Sequence, residues 1–298
     1  MNDAEVKPWV AGLGLPGLVD IHLHFMPESV LRKVWEYFDN ASLHYGVQWP
    51  VRYKFPAAER LRILRELGVV RFAPLVYPHK AGMAQWLNDW VAEFTAQTPE
   101  AVLTATLYPE PGVRKYLGQA LDQGARCVKA HIQVGGYDPR ASELDAAWGL
   151  VAEAGVPVVV HCGHGPLQGE FTGVDVFEQV LRRHPGLTAV LAHAAMPEYD
   201  AAFGLIRRYP NVYIDTTMVG VHFGPPLPPD FADRLAEFPD RVVLGTDFPN
   251  IPSEYAHQIE AIRGWAEADE RLGVSFLRAV LHDTPAQLLG LTDHADRR

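Results

Sequence analysis

Eight short apolar segments, each rich in Val, Ile, Leu and Thr, recur along the chain at fairly regular intervals. They occupy residues 18–24, 69–77, 102–109, 126–132, 156–162, 188–194, 212–217 and 242–249. Most are followed by a helical pattern, such as the one that opens on Ser142 and closes on Gly155. Near-continuous apolar strands that alternate with helices are typical of a parallel sheet covered on both faces. Eight such units predict a closed α/β barrel, the (β/α)8 or TIM barrel.

An open, doubly wound sheet is the structural alternative to this barrel. Such a sheet usually carries a glycine-rich phosphate-binding turn after an early strand, and the sequence contains no GxGxxG or Walker pattern. The pattern therefore favours the barrel. We expect a single domain over residues 1–298, with the barrel running from about residue 18 to about residue 291.

The segment 26–56, just after the first predicted strand, is too long for a plain connection and is rich in aromatic residues. Connections that follow the strands of a barrel lie at its carboxyl-terminal face, where active sites are found. The insertion is expected to overhang that face, either as a substrate lid or as a small subsidiary core or subunit contact. A second long connection, 218–230, carries several prolines and opens on the same face.

Composition excludes some classes of function. The formal net charge of -10 argues against binding to nucleic acid, which needs clustered Lys and Arg. No run approaches eighteen apolar residues, and residues 1–17 lack the basic start and apolar block of a secretory signal. We therefore expect a cytoplasmic protein without membrane contact. The two cysteines, Cys127 and Cys162, lie in apolar stretches and are expected to be reduced, buried thiols.

Polar residues, most of them of types that bind metals, stand at the carboxyl ends of several predicted strands. They are His22 and His24 on the first strand, Lys129 and His131 on the fourth, His161 on the fifth, His193 on the sixth and Asp247 on the eighth. Side chains two residues apart in a strand share a face, so His22 and His24 project together. Any single one of these residues can be a satisfied core histidine or a turn residue. Because a barrel brings all these ends to one rim, the set predicts a site for Zn²⁺ or another divalent transition metal.

The motifs around these residues resemble those of the amidohydrolase superfamily of metal-dependent (β/α)8 enzymes. They are "DIHLHFMP" at 20–27, "VVVHCG" at 158–163, "VLAHAA" at 190–195 and "VLGTDFP" at 243–249. The segment "HDTPAQLLGL" at 282–291 resembles the helix that follows the last strand in such proteins. With "CVKAH" at 127–131, the chain is most similar to the branch that contains aminocarboxymuconate-semialdehyde decarboxylase and many uncharacterised hydrolases.

The resemblance implies a role for each residue at the rim. His22, His24, His161 and Asp247 would bind one metal ion, and His193 would contact the metal-bound water and shuttle a proton. Elementary chemistry is consistent with these roles, because a catalytic metal lowers the pKa of its bound water to about 7. Asp247 can accept a proton from that water, and His193 can stabilise charge on the substrate oxygen.

Lys129 leaves an alternative open. In two-metal members of the superfamily a lysine of the fourth strand is carboxylated and bridges the ions, while His161 and His193 serve the second ion. The motifs favour one ion over two, and Lys129 would then hold a substrate anion or a neighbouring carboxylate. His164, on the loop after the fifth strand, and Arg52, in the insertion, are further candidate substrate contacts. Either of them can equally face solvent.

We therefore expect a metal-dependent hydrolase in which activated water attacks an ester, lactone or amide carbonyl of a small molecule. The alternative is non-oxidative decarboxylation of an aromatic or unsaturated carboxylic acid on the same metal site. A non-catalytic barrel is the third possibility. The barrel alone does not decide among them, because function belongs to the site rather than to the fold. A homodimer is compatible with the aromatic insertion.

Overall fold

The computed structural model describes residues 1–291, and in this range eight β-strands lie within the segments where the sequence predicts them. The strands are β1 (Leu18–Leu23), β2 (Val69–Pro74), β3 (Thr104–Thr106), β4 (Cys127–His131), β5 (Val158–His161), β6 (Ala189–Leu191), β7 (Val212–Asp215) and β8 (Val242–Val243). All are shorter than the apolar segments that predict them. The remaining residues of those segments precede the strands or form the connections at the carboxyl-terminal rim.

All the strand pairs are parallel. β1 pairs with β2, and β3 to β8 pair in chain order. Hydrogen bonds join these two groups on both sides. Near β2, the amide of Phe72 donates to the carbonyl of Glu100 at 3.0 Å, and the amide of Val102 donates to the carbonyl of Phe72 at 2.9 Å. Near β8, the amide of Ile21 donates to the carbonyl of Leu244 at 3.0 Å. The strands are thus connected into the predicted (β/α)8 barrel.

Helices precede β1 and follow the strands. They are α1 (Asp3–Gly12), α2 (Glu28–Asp39), α3 (Ala41–Tyr45), α4 (Ala57–Leu67), α5 (Ala84–Ala96), α6 (Val113–Asp122), α7 (Ile132–Gly135), α8 (Ser142–Ala154), α9 (Val174–Arg183), α10 (Tyr199–Arg208), α11 (Phe231–Glu237), α12 (Tyr255–Ala268), α13 (Gly273–Arg278) and α14 (Thr284–Leu288). The predicted ends of α4 and α8 are confirmed, since each is followed by a glycine with positive φ, Gly68 at 82° and Gly155 at 65°. α12 is the first helix after β8, and the segment 282–291 contains α14, the last helix of the described residues.

Successive residues of each strand point to opposite sides of the sheet and are buried in different apolar clusters. Cys127, Val159, Val190 and Val243 belong to one buried apolar cluster, whereas the intervening strand residues pack against the helices. Cys127 precedes Lys129 on the same face of its strand, and Val159 precedes His161 in the same way. The polar residues at the strand ends therefore lie above a layer of buried apolar side chains inside the barrel. Both cysteines are buried and free within the described chain, as the sequence predicts.

The aromatic insertion contacts the connections that follow β7 and β8, and its role as a substrate lid, a subsidiary core or a subunit contact stays a prediction. It contains α2 and α3, and it is tied to the connection after β8 by two indole groups. Trp35 donates to the side-chain oxygen of Asn250 at 3.1 Å, and Trp49 donates to the carbonyl of the same residue at 2.7 Å. The ring of Trp49 also lies 5.7 Å from that of Phe223, on the connection after β7.

The predicted homodimer stays a prediction. Among the described residues, no helix combines the length and the apolarity needed to span a membrane.

Candidate metal centre

Three of the predicted ligands converge on one point. His22, His24 and Asp247 each offer a ligand atom, and these atoms all lie within 4.8 Å of one another. His22 is in β1 and His24 follows it, whereas Asp247 lies four residues beyond the end of β8 with a left-handed φ of 63°. The amide of Asp247 donates to the carbonyl of His22 at 2.8 Å. This backbone hydrogen bond joins the first strand of the barrel to the connection that follows the last strand.

Both ring nitrogens of His24 face acceptors. Nδ1 lies 2.9 Å from the carbonyl oxygen of Leu75, and Nε2 lies 2.7 Å from Oδ1 of Asp247. A neutral imidazole has one donor nitrogen, so positive charge is needed between Nε2 and the carboxylate. A proton or a metal ion can supply that charge. Burial raises the pKa of Asp247, but the hydrogen bond with His24 and the nearby imidazoles outweigh it and hold that pKa below its usual range.

His22 presents Nε2 to the same site. Its Nδ1 lies 2.8 Å from Oδ2 of Asp215, and its Nε2 lies 3.1 Å from Nζ of Lys129 and 3.7 Å from Oδ1 of Asp247. Burial, together with the charge of Lys129, lowers the pKa of His22 well below its ordinary value. A neutral imidazole with one nitrogen held by a carboxylate is the arrangement that metal-binding histidines adopt.

Asp215 is the site residue that the sequence analysis missed. It ends β7 and is buried, and its Oδ1 accepts hydrogen bonds from the amides of His193 at 2.8 Å and Thr217 at 3.1 Å. Burial raises the pKa of this carboxyl group. Its position in the sequence carried a usable signal, because an acidic residue at the carboxyl end of an apolar strand follows the rule that identified the other site residues.

Gly245 makes room for the pair of His22 and Asp215. A Cβ atom at this position would lie 2.8 Å from Cβ of His22, 2.5 Å from Oγ1 of Thr217 and 3.1 Å from Cγ of Asp215. Contacts below 3.0 Å would force the neighbours to move. The absence of a side chain at residue 245 is therefore part of how this centre is built.

His193 lies near the site but outside a strand. The sequence predicts strand six to residue 194, whereas β6 ends at Leu191 and His193 occupies a 3₁₀ turn (Ala192–Ala195) with a φ of 57°. Its Nδ1 lies 3.2 Å from the carbonyl oxygen of Thr217, and its ring lies 5.3 Å from that of His22. Because burial lowers the pKa of His193 to about 4, the imidazole is neutral and Nε2 is the acceptor nitrogen.

His161, the fourth predicted ligand, lies beside the three converging residues and not among them. Its Nε2 lies 2.8 Å from the carbonyl oxygen of Gly165, and its ring lies 4.8 Å from that of His193. Within the described chain, the buried Nδ1 of His161 has no hydrogen-bond partner. A buried nitrogen without a partner fits a metal ligand, so binding through Nδ1 stays a prediction for His161.

Lys129 is fully buried, and its Nζ points to His22. Burial lowers the pKa of this ammonium group to about 8. His131, at the end of β4, stacks on His161 with the ring centroids 4.3 Å apart. The structure thus brings Lys129 directly to the metal centre and places His131 one layer away from it.

The structure does not join His164 or Arg52 to the metal centre. His164 Nδ1 lies 2.8 Å from Oγ1 of Thr172, and its amide donates to Glu198 at 3.1 Å. Arg52 is half-exposed and forms an ion pair with Glu254. It lines a cavity of about 450 Å³ between the insertion and the connections after β7 and β8. Their roles as substrate contacts stay predictions.

The barrel and its His-His-Asp group define a class of metal-binding (β/α)8 enzymes. A family model described as amidohydrolase matches residues 19–291. The chain therefore belongs to the amidohydrolase family, as its motifs predict. No curated protein matches the chain.

Solved structures share the fold. 5-Carboxyvanillate decarboxylase LigW from Sphingomonas paucimobilis is 15% identical, with a TM-score of 0.65 and coverage of 93% of this chain and 100% of that one. A putative 2-pyrone-4,6-dicarboxylic acid hydrolase from Pseudomonas putida is 15% identical, with a TM-score of 0.59 and coverage of 94% and 100%. A 5-carboxyvanillate decarboxylase from Novosphingobium aromaticivorans with bound manganese is 12% identical, with a TM-score of 0.62 and coverage of 92% and 97%. At these low identities, the TM-scores show a shared fold and do not show a shared reaction.

Proposed function

We propose that the chain is a metal-dependent hydrolase that cleaves an ester, lactone or amide of a small molecule. The observation that carries the proposal is the pair of proton acceptors beside His22. Oδ1 of Asp247 lies 3.7 Å from His22 Nε2, and the ring of His193 lies 5.3 Å from the ring of His22. Hydrolysis needs a group that takes a proton from water and returns one to the leaving group. An ionised carboxylate and a neutral imidazole can share this task.

The donor set fits one divalent transition metal ion. His22, His24 and Asp247 offer nitrogen and oxygen ligands, and the unpartnered Nδ1 of His161 supports a fourth. Such ligands suit Zn²⁺, and the manganese in a structural neighbour makes Mn²⁺ a second candidate. Such an ion, when bound, acts as a Lewis acid and lowers the pKa of water into the neutral range. The motifs favour one ion over two, and Lys129 Nζ, 3.1 Å from Nε2 of His22, would then lie beside that ion.

The residues of the chain divide the remaining work. Asp247 accepts the proton of the attacking water and passes it to the departing oxygen or nitrogen. His193 holds its ring with Nδ1 against the carbonyl of Thr217, so Nε2 is left to accept a proton. Lys129 offers positive charge to an anionic oxygen of the substrate from within the barrel. The buried apolar side chains inside the barrel, below these groups, exclude bulk water.

Decarboxylation is the second candidate, and Lys129 is the observation that favours it. A fully buried ammonium group beside two proposed ligands can hold the carboxylate of a substrate. In that reaction the bond between the carboxylate and the carbon that carries it breaks, CO2 leaves, and this carbon takes a proton that Asp247 or His193 has first received from water. The likeness to the two decarboxylases supports the same candidate.

A paired assay separates the two reactions. Protein loaded with Zn²⁺ or with Mn²⁺ is incubated with lactones, esters and amides, and separately with carboxylated aromatics. Acid release and CO2 release are measured. We expect hydrolysis of at least one substrate class, and we expect His193→Ala to lower kcat by about 10² to 10⁴ while the metal content is unchanged. His184→Ala, a change at a half-buried histidine paired with Asp145, is the matched control. Release of CO2 without hydrolysis would overturn the proposal in favour of the second candidate.

A further inference from the structure

The carboxylate of Asp215 contacts two of the proposed site residues at once. Oδ2 lies 2.8 Å from Nδ1 of His22, and Oδ1 accepts the backbone N–H of His193 at 2.8 Å. The residue is buried, and it ends β7, a strand that contributes none of the predicted ligands. We infer that Asp215 is a positioning residue that makes Nε2 of His22 the nitrogen available to a metal and holds the backbone turn at His193. This inference rests on the proposed metal-dependent function.

The hydrogen bonds around His22 assign its tautomer. A carboxylate can only accept, so Nδ1 of His22 carries the proton and donates to Asp215. On the other side, an ammonium group can only donate, so Nε2 of His22 accepts from Lys129 at 3.1 Å. The two contacts agree. The lone pair of Nε2 points into the site, beside His24 and Asp247.

The same carboxylate orders the turn that carries His193. This residue has a φ of 57°, a conformation that non-glycine residues rarely adopt and that needs support from its surroundings. The hydrogen bond from its amide to Asp215 supplies part of that support. The carbonyl of Thr217, two residues beyond Asp215, accepts from Nδ1 of His193. The end of β7 therefore sets the orientation of both imidazoles.

The substitution Asp215→Asn tests this role because the amide can fit in one orientation. Oδ1 of the native residue faces the backbone amides of His193 and Thr217, which cannot become acceptors. The oxygen of Asn must face these amides, and its NH2 group must face Nδ1 of His22. Since that NH2 donates, Nδ1 must become the acceptor and the proton must move to Nε2. A protonated Nε2 must lose its proton before it can bind a metal, so the affinity for the metal falls.

Asp20→Asn is the matched control, since Asp20 is equally buried and also contacts His22. Its Oδ1 accepts the backbone amide of His22 at 3.0 Å, and its Oδ2 accepts the hydroxyl groups of Thr246 at 2.6 Å and Tyr255 at 3.0 Å. Both hydroxyl groups can rotate to accept from an NH2 group. The control thus repeats the chemical change beside the same histidine without altering the partner of its ring.

Two measurements decide the inference. Long-range ¹H–¹⁵N correlation spectra of the metal-free protein, with the His22 signals assigned from a His22→Gln spectrum, report the tautomer. Competition with a chelator gives the Kd for Zn²⁺. We expect the Nδ1–H tautomer in the wild type and in Asp20→Asn, and the Nε2–H tautomer in Asp215→Asn. We also expect Asp215→Asn to raise the Kd for Zn²⁺ by about 10- to 100-fold, with little change in the control.

An Nε2–H tautomer in the wild type, or an unchanged tautomer and Kd in Asp215→Asn, would overturn the inference. The wild-type spectrum tests the tautomer of His22 even if Asp215→Asn does not fold. Failure of the wild type to bind Zn²⁺ or Mn²⁺ would instead refute the proposed function. The tautomer spectra would still test Asp215 in that case, so the two failures can be told apart.

Discussion

The two sides of the metal centre are built differently, although the same sequence signal predicts both. On the side of β1 and β8, His22, His24 and Asp247 bring their ligand atoms within 4.8 Å of one another. On the side of β5 and β6, His161 has one nitrogen held by a carbonyl group, and His193 sits on a left-handed turn. A histidine after an apolar strand therefore predicts a position at the rim of the barrel. The conformation of the backbone after the strand sets where its imidazole points.

Removal of Asp247 is the change with the largest expected effect on this comparison. Asp247→Ala deletes an oxygen ligand and a proton acceptor, so metal content should fall from about one ion per chain to background and activity should be lost. Metal analysis after dialysis measures the content. Asp138→Ala, at a carboxylate paired with Arg140 on the surface, is the control. Full metal content in Asp247→Ala would show that the β1–β8 side does not hold the ion.

The substitution His161→Ala tests the β5–β6 side. If Nδ1 is a ligand, its loss should raise the Kd for Zn²⁺ by more than the roughly 10- to 100-fold that loss of an outer partner causes. His131→Ala removes the imidazole that stacks on His161 at 4.3 Å and should leave the Kd nearly unchanged. Equal affinities in wild type and His161→Ala would confine the ligands to the β1–β8 side.

The substitution Gly245→Ala disturbs the contact between β7 and β1 without removing a polar group. The added Cβ would lie 2.8 Å from Cβ of His22, so the neighbours must move. We expect a loss of about 1–3 kcal/mol in the free energy of unfolding, measured by urea titration, together with weaker Zn²⁺ binding. Gly264→Ala is the control, because within the described chain no atom lies within 4 Å of a Cβ built there and the residue is inside α12. A stable Gly245→Ala variant with native Zn²⁺ affinity would contradict the steric explanation.

The smallest effect is expected at Arg52, which is remote from both sides of the centre. Its exposed ion pair with Glu254 should contribute less than about 1 kcal/mol to stability. If the predicted substrate contact is correct, Arg52→Ala raises KM for a carboxylate-bearing substrate several-fold and leaves kcat unchanged. Arg62→Ala, on the exposed face of α4, serves as the control. Identical KM values would remove Arg52 from the substrate site.

The fold was largely predictable from the sequence. Apolar segments identify the eight strands because most strand residues are buried, and glycines such as Gly68 and Gly155 end helices because they accept positive φ. The convergence of His22, His24 and Asp247 was predictable too, since all three lie at or just after the carboxyl ends of strands that a barrel brings to one rim. These predictions use rules that are local or topological.

The orientation of the site was not predictable in the same way. The hydrogen bond between His22 and Asp215 joins residues 193 positions apart, and its geometry depends on the missing side chain at Gly245. The left-handed turn at His193 depends on an acceptor supplied by another strand. Such features arise from tertiary packing, and no periodicity or motif in one segment encodes them.

Asn250 connects the aromatic insertion to Asp247, because it accepts hydrogen bonds from the insertion and belongs to the same backbone segment as Asp247. Trp35 and Trp49 both donate to this residue, which stands three positions after Asp247. A ligand that displaces the insertion must break these hydrogen bonds or pull on the segment that carries Asp247. If a bound ion holds Asp247 in place, binding of the ion and displacement of the insertion oppose each other by the same free energy in both directions.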